Sequence, residues 1–219
     1  MADVRLYALL DPAISGERLP ELAQAVIEGG ATLIQLRDKA RETRHMLAEA
    51  RVLKRVLALH SVPLIVNDRV DVALAAGADG VHVGQEDMPV EDARRLMGTA
   101  AVIGLSIKTA EEARAAPLDL VDYVAIGGVY ATTSKNNPQP PIGTNGLRNL
   151  VEVIRARVPA MPIAAIAGIT EANAADVIAA GADGIAVIAS LARAQDPRSA
   201  AKRLRGIVDG GLRARAGLA

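Results

Sequence analysis

No cysteine, phenylalanine or tryptophan occurs in the 219 residues, and three tyrosines, Tyr7, Tyr123 and Tyr130, are the whole aromatic complement. The missing thiols exclude disulfides, thiolate nucleophiles and thiolate metal sites, so any metal must be held by oxygen or imidazole, which favours a hard cation. The scarcity of aromatics removes the stacking surfaces on which single-stranded nucleic acids bind. A charge of one sign is missing as well. With 25 Lys+Arg against 25 Asp+Glu and no basic run, the broad cationic footprint of a nucleic-acid binder is absent, and no nucleic-acid partner is expected. Long apolar segments are also lacking. Met1 to Asp11 offers only the run Leu6 to Leu10 and no charged leader, which predicts a soluble cytoplasmic chain without a membrane partner.

What is present is a composition 51% hydrophobic, so the core must be built from Ala, Val, Ile and Leu. Such side chains suit parallel strands covered on both faces. Eight short runs fit: Leu6 to Leu10, Leu33 to Arg37, Leu64 to Asn67, Gly80 to Val83, Ala101 to Leu105, Tyr123 to Gly127, Ile163 to Ala167 and Gly184 to Ile188. Amphipathic stretches separate them, for example Leu19 to Glu28, His45 to Leu59 and Ala172 to Ala180. The alternation gives βαβ units. Eight of them in 219 residues predict an α/β chain folded as one (β/α)8 TIM barrel domain over residues 1–219, with a doubly wound open sheet as the alternative. The hexapeptide Ala-Ala-Gly-Ala-Asp-Gly occurs at Ala75 to Gly80 and again at Ala179 to Gly184, with a weaker echo at Glu28 to Ala31. Each copy reads as a helix ending on glycine before a strand, and the two strong copies precede the fourth and eighth strands, as in two similar half-barrels.

A barrel places function at the C-terminal ends of its strands. Period-two alternation turns Gln35 and Arg37 into the mouth, where a desolvated guanidinium needs an anion, either a protein carboxylate or a substrate phosphate. Asp68 and Asp87 follow neighbouring strands. They are either helix N-caps or, taken as a pair, the two carboxylates with which Mg2+ is commonly held alongside water and substrate phosphate. His82 reads as an inward structural histidine, and His45 and His60 carry no assigned chemistry. The connection Gly127 to Gly146 is rich in hydroxyls, Pro and Gly. Its Thr132, Ser134 and Lys135 supply phosphate donors and a mobile cation on a segment suited to closing as a lid. Gly168, after the seventh strand, permits close approach of backbone N–H groups to an anion or simply a tight turn. Two anion sites result, one with Mg2+ near Arg37, Asp68, Asp87 and Lys135, the other near Thr132, Gly168 and Ile188. They suggest chemistry on two phosphorylated small molecules.

The ordered segments Gln35-Leu36-Arg37-Asp38-Lys39, Asn67-Asp68, His82 to Asp87, Gly104-Leu105-Ser106, Thr132-Thr133-Ser134-Lys135 and Ala167-Gly168-Ile169 resemble the motif series of the thiamine-phosphate synthases, over nearly the whole chain. The resemblance implies condensation of 4-amino-5-hydroxymethylpyrimidine diphosphate with a thiazole phosphate to give thiamine phosphate and pyrophosphate. It assigns Gln35, Arg37, Lys39, Asn67, Ser106 and Lys135 to the pyrimidine diphosphate, with Arg37, Ser106 and Lys135 the catalytic contacts. It assigns Asp68 and Asp87 to Mg2+, and Thr132, Thr133, Ser134, Gly168, Ile188 and Ala189 to the thiazole phosphate.

The chain departs from the family pattern at four places: Ala189 replaces a serine, Tyr130-Ala131 replaces an apolar residue and a proline, Asn136 to Pro141 makes an unusual lid, and Lys108 stands where Thr or His is commoner. The competing readings are the related thiazole tautomerase, which uses a histidine near the position of Lys108, a non-catalytic phosphate-ligand sensor, and another phosphate-binding barrel enzyme. The last usually needs an evident acid-base pair, and none stands at the strand ends.

Overall fold

The computed structural model describes residues 2–132 and 140–217. Eight parallel strands close into a barrel in chain order: β1 (Leu6–Leu10), β2 (Leu33–Leu36), β3 (Leu64–Asn67), β4 (Gly80–Val83), β5 (Val102–Ile107), β6 (Tyr123–Ile126), β7 (Ile163–Ile166) and β8 (Gly184–Val187), with β8 pairing back onto β1. The open-sheet alternative is thereby excluded. Helices surround the barrel: α1 (Pro12–Ser15), α2 (Leu19–Glu28), α3 (Thr43–Leu57), α4 (Val70–Ala76), α5 (Val90–Met97), α6 (Ala110–Ala115), α7 (Gly143–Arg157), α8 (Ala174–Ala179), α9 (Ala189–Ala192) and α10 (Pro197–Arg215).

Four strands end one residue earlier than the aliphatic runs suggest, at Leu36, Ile126, Ile166 and Val187. The chain leaves the ladder there to form the βα loops, and Ala167 does so at a φ of 96°. In the opposite sense β5 runs on to Ile107, so Ser106 lies within a strand, paired to Ala125. Helix α7 starts at Gly143, shortening the connection read from sequence as running to Gly146.

Two apolar cores follow from strand alternation. Outward residues such as Ile34, Leu36, Val66 and Val81 pack against the helices, while Tyr7, Leu9, Leu33, Ile65, Tyr123, Ala164 and Ala186 fill the barrel. With so few large side chains available, the two tyrosines supply the bulk at its centre, both essentially inaccessible to water.

The repeated hexapeptide has a specific physical reason. Asp79, Asp122 and Asp183 each accept, through Oδ2, the N–H of the first or second residue of the preceding strand: Leu64 at 2.8 Å, Ile103 at 2.8 Å and Ile163 at 3.0 Å. Each aspartate returns its own N–H to that residue's carbonyl and is ion-paired to a helix cation, Lys54, Arg94 or Arg155. Thr32 does the same for Leu6, with contacts of 3.1 and 2.9 Å. The device therefore recurs before β2, β4, β6 and β8, a fourfold feature finer than the half-barrel repeat expected. The glycine after the aspartate is required by close approach, since a Cβ on Gly80 would lie 1.9 Å from the Val102 carbonyl oxygen and one on Gly184 1.7 Å from that of Val4.

Candidate active site

Alternation along β2 buries Gln35 inside the mouth, while Arg37 emerges beside it. Arg37 finds its anion in the protein: Nη1 lies 2.8 Å from Asp11 Oδ2, and both side chains are only 11% exposed. Asp11 also caps α1 by accepting the Ala13 N–H at 2.9 Å, so the guanidinium is held from one side by a carboxylate that is itself fixed. Of the two anions expected for Arg37, a protein carboxylate or a substrate phosphate, the first is present as Asp11, which the sequence reading did not identify. The signal was an Asp-Pro pair directly after the first strand, which is a helix start.

The carboxylates at the ends of β3 and β4 do come together, and neither caps a helix. The residues before α4 and α5 are Arg69 and Pro89, and no side chain caps either helix. Asp68 is held at a φ of 61° with its N–H donated to the His82 carbonyl at 2.8 Å, a strained position for a residue with a Cβ. Lys39 Nζ lies 2.6 Å from Asp68 Oδ2, while Asp87 Oδ2 accepts the Gly84 N–H at 2.7 Å. Burial raises the Asp68 carboxyl above the ordinary carboxylate range; the adjacent Asp87 adds to that and Lys39 opposes it. Two oxygen donors forced together at a partly dry position form a donor set that suits a hard cation. No cluster of three His, Cys, Asp or Glu exists among the described residues, so water and substrate oxygens would complete the shell.

Deeper in the mouth, a small cavity is walled by Tyr7, Gln35, Asn67, His82, Ser106 and Lys108, among others. Gln35 Oε1 and Asn67 Nδ2 are buried there without a hydrogen-bond partner among the described residues. Orphaned buried amide atoms are costly, and at a cavity wall they mark groups left for a ligand. His82, which had no legible partner in the sequence, contacts the Tyr123 hydroxyl through Nδ1 at 3.0 Å and Ser106 Oγ through Nε2 at 2.9 Å. Tyr7 and Tyr123 were not singled out from sequence. Their signal was position: they are two of three aromatics, each inward on its strand by alternation.

A second cavity of about 410 Å3 adjoins the first, sharing Lys108, Gly127, Ile166, Ala186 and Ile188 as a wall. Its other side is formed by Thr132, Gly168, Ala189 and Ser190. Gly168 has a φ of 65°, and a Cβ there would lie 2.3 Å from the Ala131 carbonyl oxygen, so glycine is required for the βα loops after β6 and β7 to meet. Ser190 Oγ donates to the Ile169 carbonyl at 2.7 Å, tying the loops after β7 and β8 together. The first N–H groups of α9 have no acceptor within that helix, and its residues Ala189 and Ser190 line this cavity. Lys108 packs its stem over Gly127 and has no ion pair among the described residues. Thr133, Ser134 and Lys135 lie outside the described residues.

The family model described as thiamine monophosphate synthase matches residues 6–191. The thiamine-phosphate synthase of Chloroflexus aurantiacus is 49% identical over 209 residues, covering 95% of this chain and 94% of that protein. That of Agrobacterium fabrum is 46% identical over 214 residues, 97% of both chains. Among solved structures, thiamine phosphate pyrophosphorylase from Pyrococcus furiosus superposes with a TM-score of 0.84 at 39% identity, covering 96% of this chain and 98% of that one.

Proposed function

The chain belongs to the thiamine monophosphate synthase family and has its transferase activity; we propose that it joins 4-amino-5-hydroxymethylpyrimidine diphosphate to a thiazole phosphate across the two adjoining cavities of the barrel mouth. The observation that carries this reading is their shared wall, through which two small molecules held side by side can touch. The pyrimidine ring is assigned to the inner cavity, against Gln35, Asn67 and Ser106. Its diphosphate reaches out to Arg37, Lys39 and Lys135. The thiazole phosphate is assigned to the outer cavity, with Thr132, Thr133, Ser134, Gly168, Ile188 and Ala189 around its phosphate.

In the reaction so proposed, the C–O bond to diphosphate breaks with its electrons leaving on the diphosphate, and the thiazole nitrogen donates a pair to the resulting methylene cation. No protein nucleophile is needed. Asp68 and Asp87 would hold Mg2+, which supplies electrophilic stabilisation of the leaving diphosphate. Arg37, oriented by Asp11, adds preorganised positive charge to the same group, and Lys135 is assigned to it as a second cation. The apolar wall made by Ile166, Ala186 and Ile188 keeps water from the cation until the thiazole captures it. Lys108 in place of histidine argues against thiazole isomerisation. We read the protein as a cytoplasmic single-domain enzyme whose partners are small molecules; no helix among the described residues is long and apolar enough to cross a membrane.

The deciding experiment follows pyrophosphate release from the purified protein given both substrates, with Mg2+ and with excess chelator. Chelator-sensitive release matched by thiamine phosphate is the expected result. Silence from folded protein, or release indifferent to chelator, would overturn the reading or its metal assignment respectively.

A further inference from the structure

Five buried or half-buried polar side chains form a continuous line across the inside of the barrel. Gln35 Nε2 on β2 donates to the Tyr7 hydroxyl on β1. That hydroxyl lies 2.6 Å from the hydroxyl of Tyr123 on β6, which lies 3.0 Å from His82 Nδ1 on β4, whose Nε2 is 2.9 Å from Ser106 Oγ on β5. The rings pack as well as bond, with Tyr7 edge-on to Tyr123 at 5.5 Å and Tyr123 stacked on His82 at 5.5 Å. Gly104 makes room for the junction: a Cβ there would lie 2.1 Å from Tyr123 Cζ and 2.4 Å from His82 Nδ1. Burial raises the titration of both phenols well above the ordinary value, so each keeps its proton.

Donor counting gives this line one direction. An amide nitrogen can only donate, so the Tyr7 oxygen accepts from Gln35, and its own buried proton has Tyr123 as acceptor. Tyr123 then has its proton to give, and His82 Nδ1 is where it goes. A proton on Nδ1 would set two donors against each other and strand the Tyr123 proton in the barrel interior, at the cost of an unpaired buried donor. His82 is therefore neutral and protonated on Nε2, which donates to Ser106 Oγ. Two ends are left over. Among the described residues Gln35 Oε1 is a buried acceptor without a partner and the Ser106 hydroxyl proton has no acceptor.

We infer that Tyr7, Tyr123 and His82 are positioning residues whose one-way hydrogen-bond chain presents Gln35 to the substrate as an acceptor and Ser106 as a donor. The inference rests on the proposed placement of the pyrimidine in the inner cavity. The ligand class that satisfies both ends is a heterocycle bearing an exocyclic amine and an unprotonated ring nitrogen. Asn67 Nδ2, the other orphaned buried atom, adds a second donor at the same wall. A ring with a carbonyl in place of the amine meets Gln35 acceptor to acceptor and is rejected. Neither tyrosine nor the histidine touches the reacting atoms; they fix the polarity of the two residues that read the ring.

The test begins without substrate. His45 and His60 are exposed, so the protected imidazole in a long-range proton–nitrogen correlation spectrum of the labelled protein is that of His82. A pyrrole-type Nε2 with a pyridine-type Nδ1 is expected; the opposite tautomer or an imidazolium would overturn the inference. The Tyr7→Phe variant then cuts the line behind Gln35 while keeping the ring. It should raise KM for the pyrimidine diphosphate roughly tenfold, the scale of one hydrogen bond, with KM for the thiazole phosphate unchanged. Preference for the 4-amino over the 4-oxo pyrimidine should fall by a similar factor. A folded variant with unaltered KM and preference would refute the positioning role. If Tyr7→Phe does not fold, Tyr123→Phe cuts the next link and is read the same way. Wild-type protein that forms no thiamine phosphate would refute the functional reading while leaving the tautomer result to stand by itself.

Discussion

The Lys39 ammonium lies 2.6 Å from the Asp68 carboxylate, so a residue assigned to the diphosphate and a residue assigned to the metal neutralise each other across the mouth. Binding a cation at Asp68 and Asp87 would displace Lys39 toward incoming phosphate oxygens. The two ligands would thus be loaded together, through exchange of one ion pair.

That exchange gives effects of opposite sign in Lys39→Met. Removing the competing ammonium should tighten Mg2+ binding to the free protein by about threefold, while KM for the pyrimidine diphosphate rises by about tenfold or less, since a half-exposed ion pair is worth up to about 1 kcal/mol. Metal titration calorimetry and steady-state kinetics read the two separately. Weakened binding of both ligands would show that Lys39 does not compete for Asp68.

Asp87 has a second task, holding the Gly84 N–H. Asparagine can still accept that hydrogen bond but carries no charge, so Asp87→Asn should keep the loop and the melting temperature while losing at least about tenfold in apparent Mg2+ affinity. Asp87→Ala should lose the loop contact as well, and a difference in stability between the two variants measures it. Equal Mg2+ dependence in wild type and Asp87→Asn would remove this carboxylate from the metal site.

At the opposite end of the barrel, Asp122→Ala strands the Ile103 N–H and leaves Arg94 without its carboxylate. A loss of about 2 kcal/mol in denaturant unfolding is expected, with kinetic constants of the folded enzyme unchanged. Altered KM at temperatures where the variant is fully folded would mean that the barrel base and the mouth are coupled.

Gly168→Ala should separate the two substrate sites. The positive φ and the Ala131 carbonyl at 2.3 Å from the added methyl force the loops apart around the outer cavity. KM for the thiazole phosphate should rise by tenfold or more, to order of magnitude, with pyrimidine diphosphate binding by the free enzyme unaffected. Equal damage to both substrates would argue against separate cavities.

Much of this molecule was legible without coordinates because its signals are local. Eight aliphatic runs with helical spacing between them specify parallel strands and helices, and period-two alternation already turned Gln35 inward beside Arg37. Strand ends placed Asp68 and Asp87 on neighbouring loops, which was enough to suggest a paired site. Alternation does not say which inward side chains meet across the barrel, since that depends on closure and strand register. Tyr7 and Tyr123 are 116 residues apart and come within 2.6 Å only because β8 pairs with β1 and brings the first strand into the ring. The choice between partners was likewise tertiary: Arg37 takes Asp11 rather than a nearer carboxylate in sequence, and Asp68 and Asp87 are freed from capping because Arg69 and Pro89 respectively precede α4 and α5. The sequence by itself determined the barrel and the end of it to which the chemistry is assigned. Its hydrogen-bond polarity was decided by the tertiary structure alone, because a donor's direction follows from every contact in the line and none of those contacts is local.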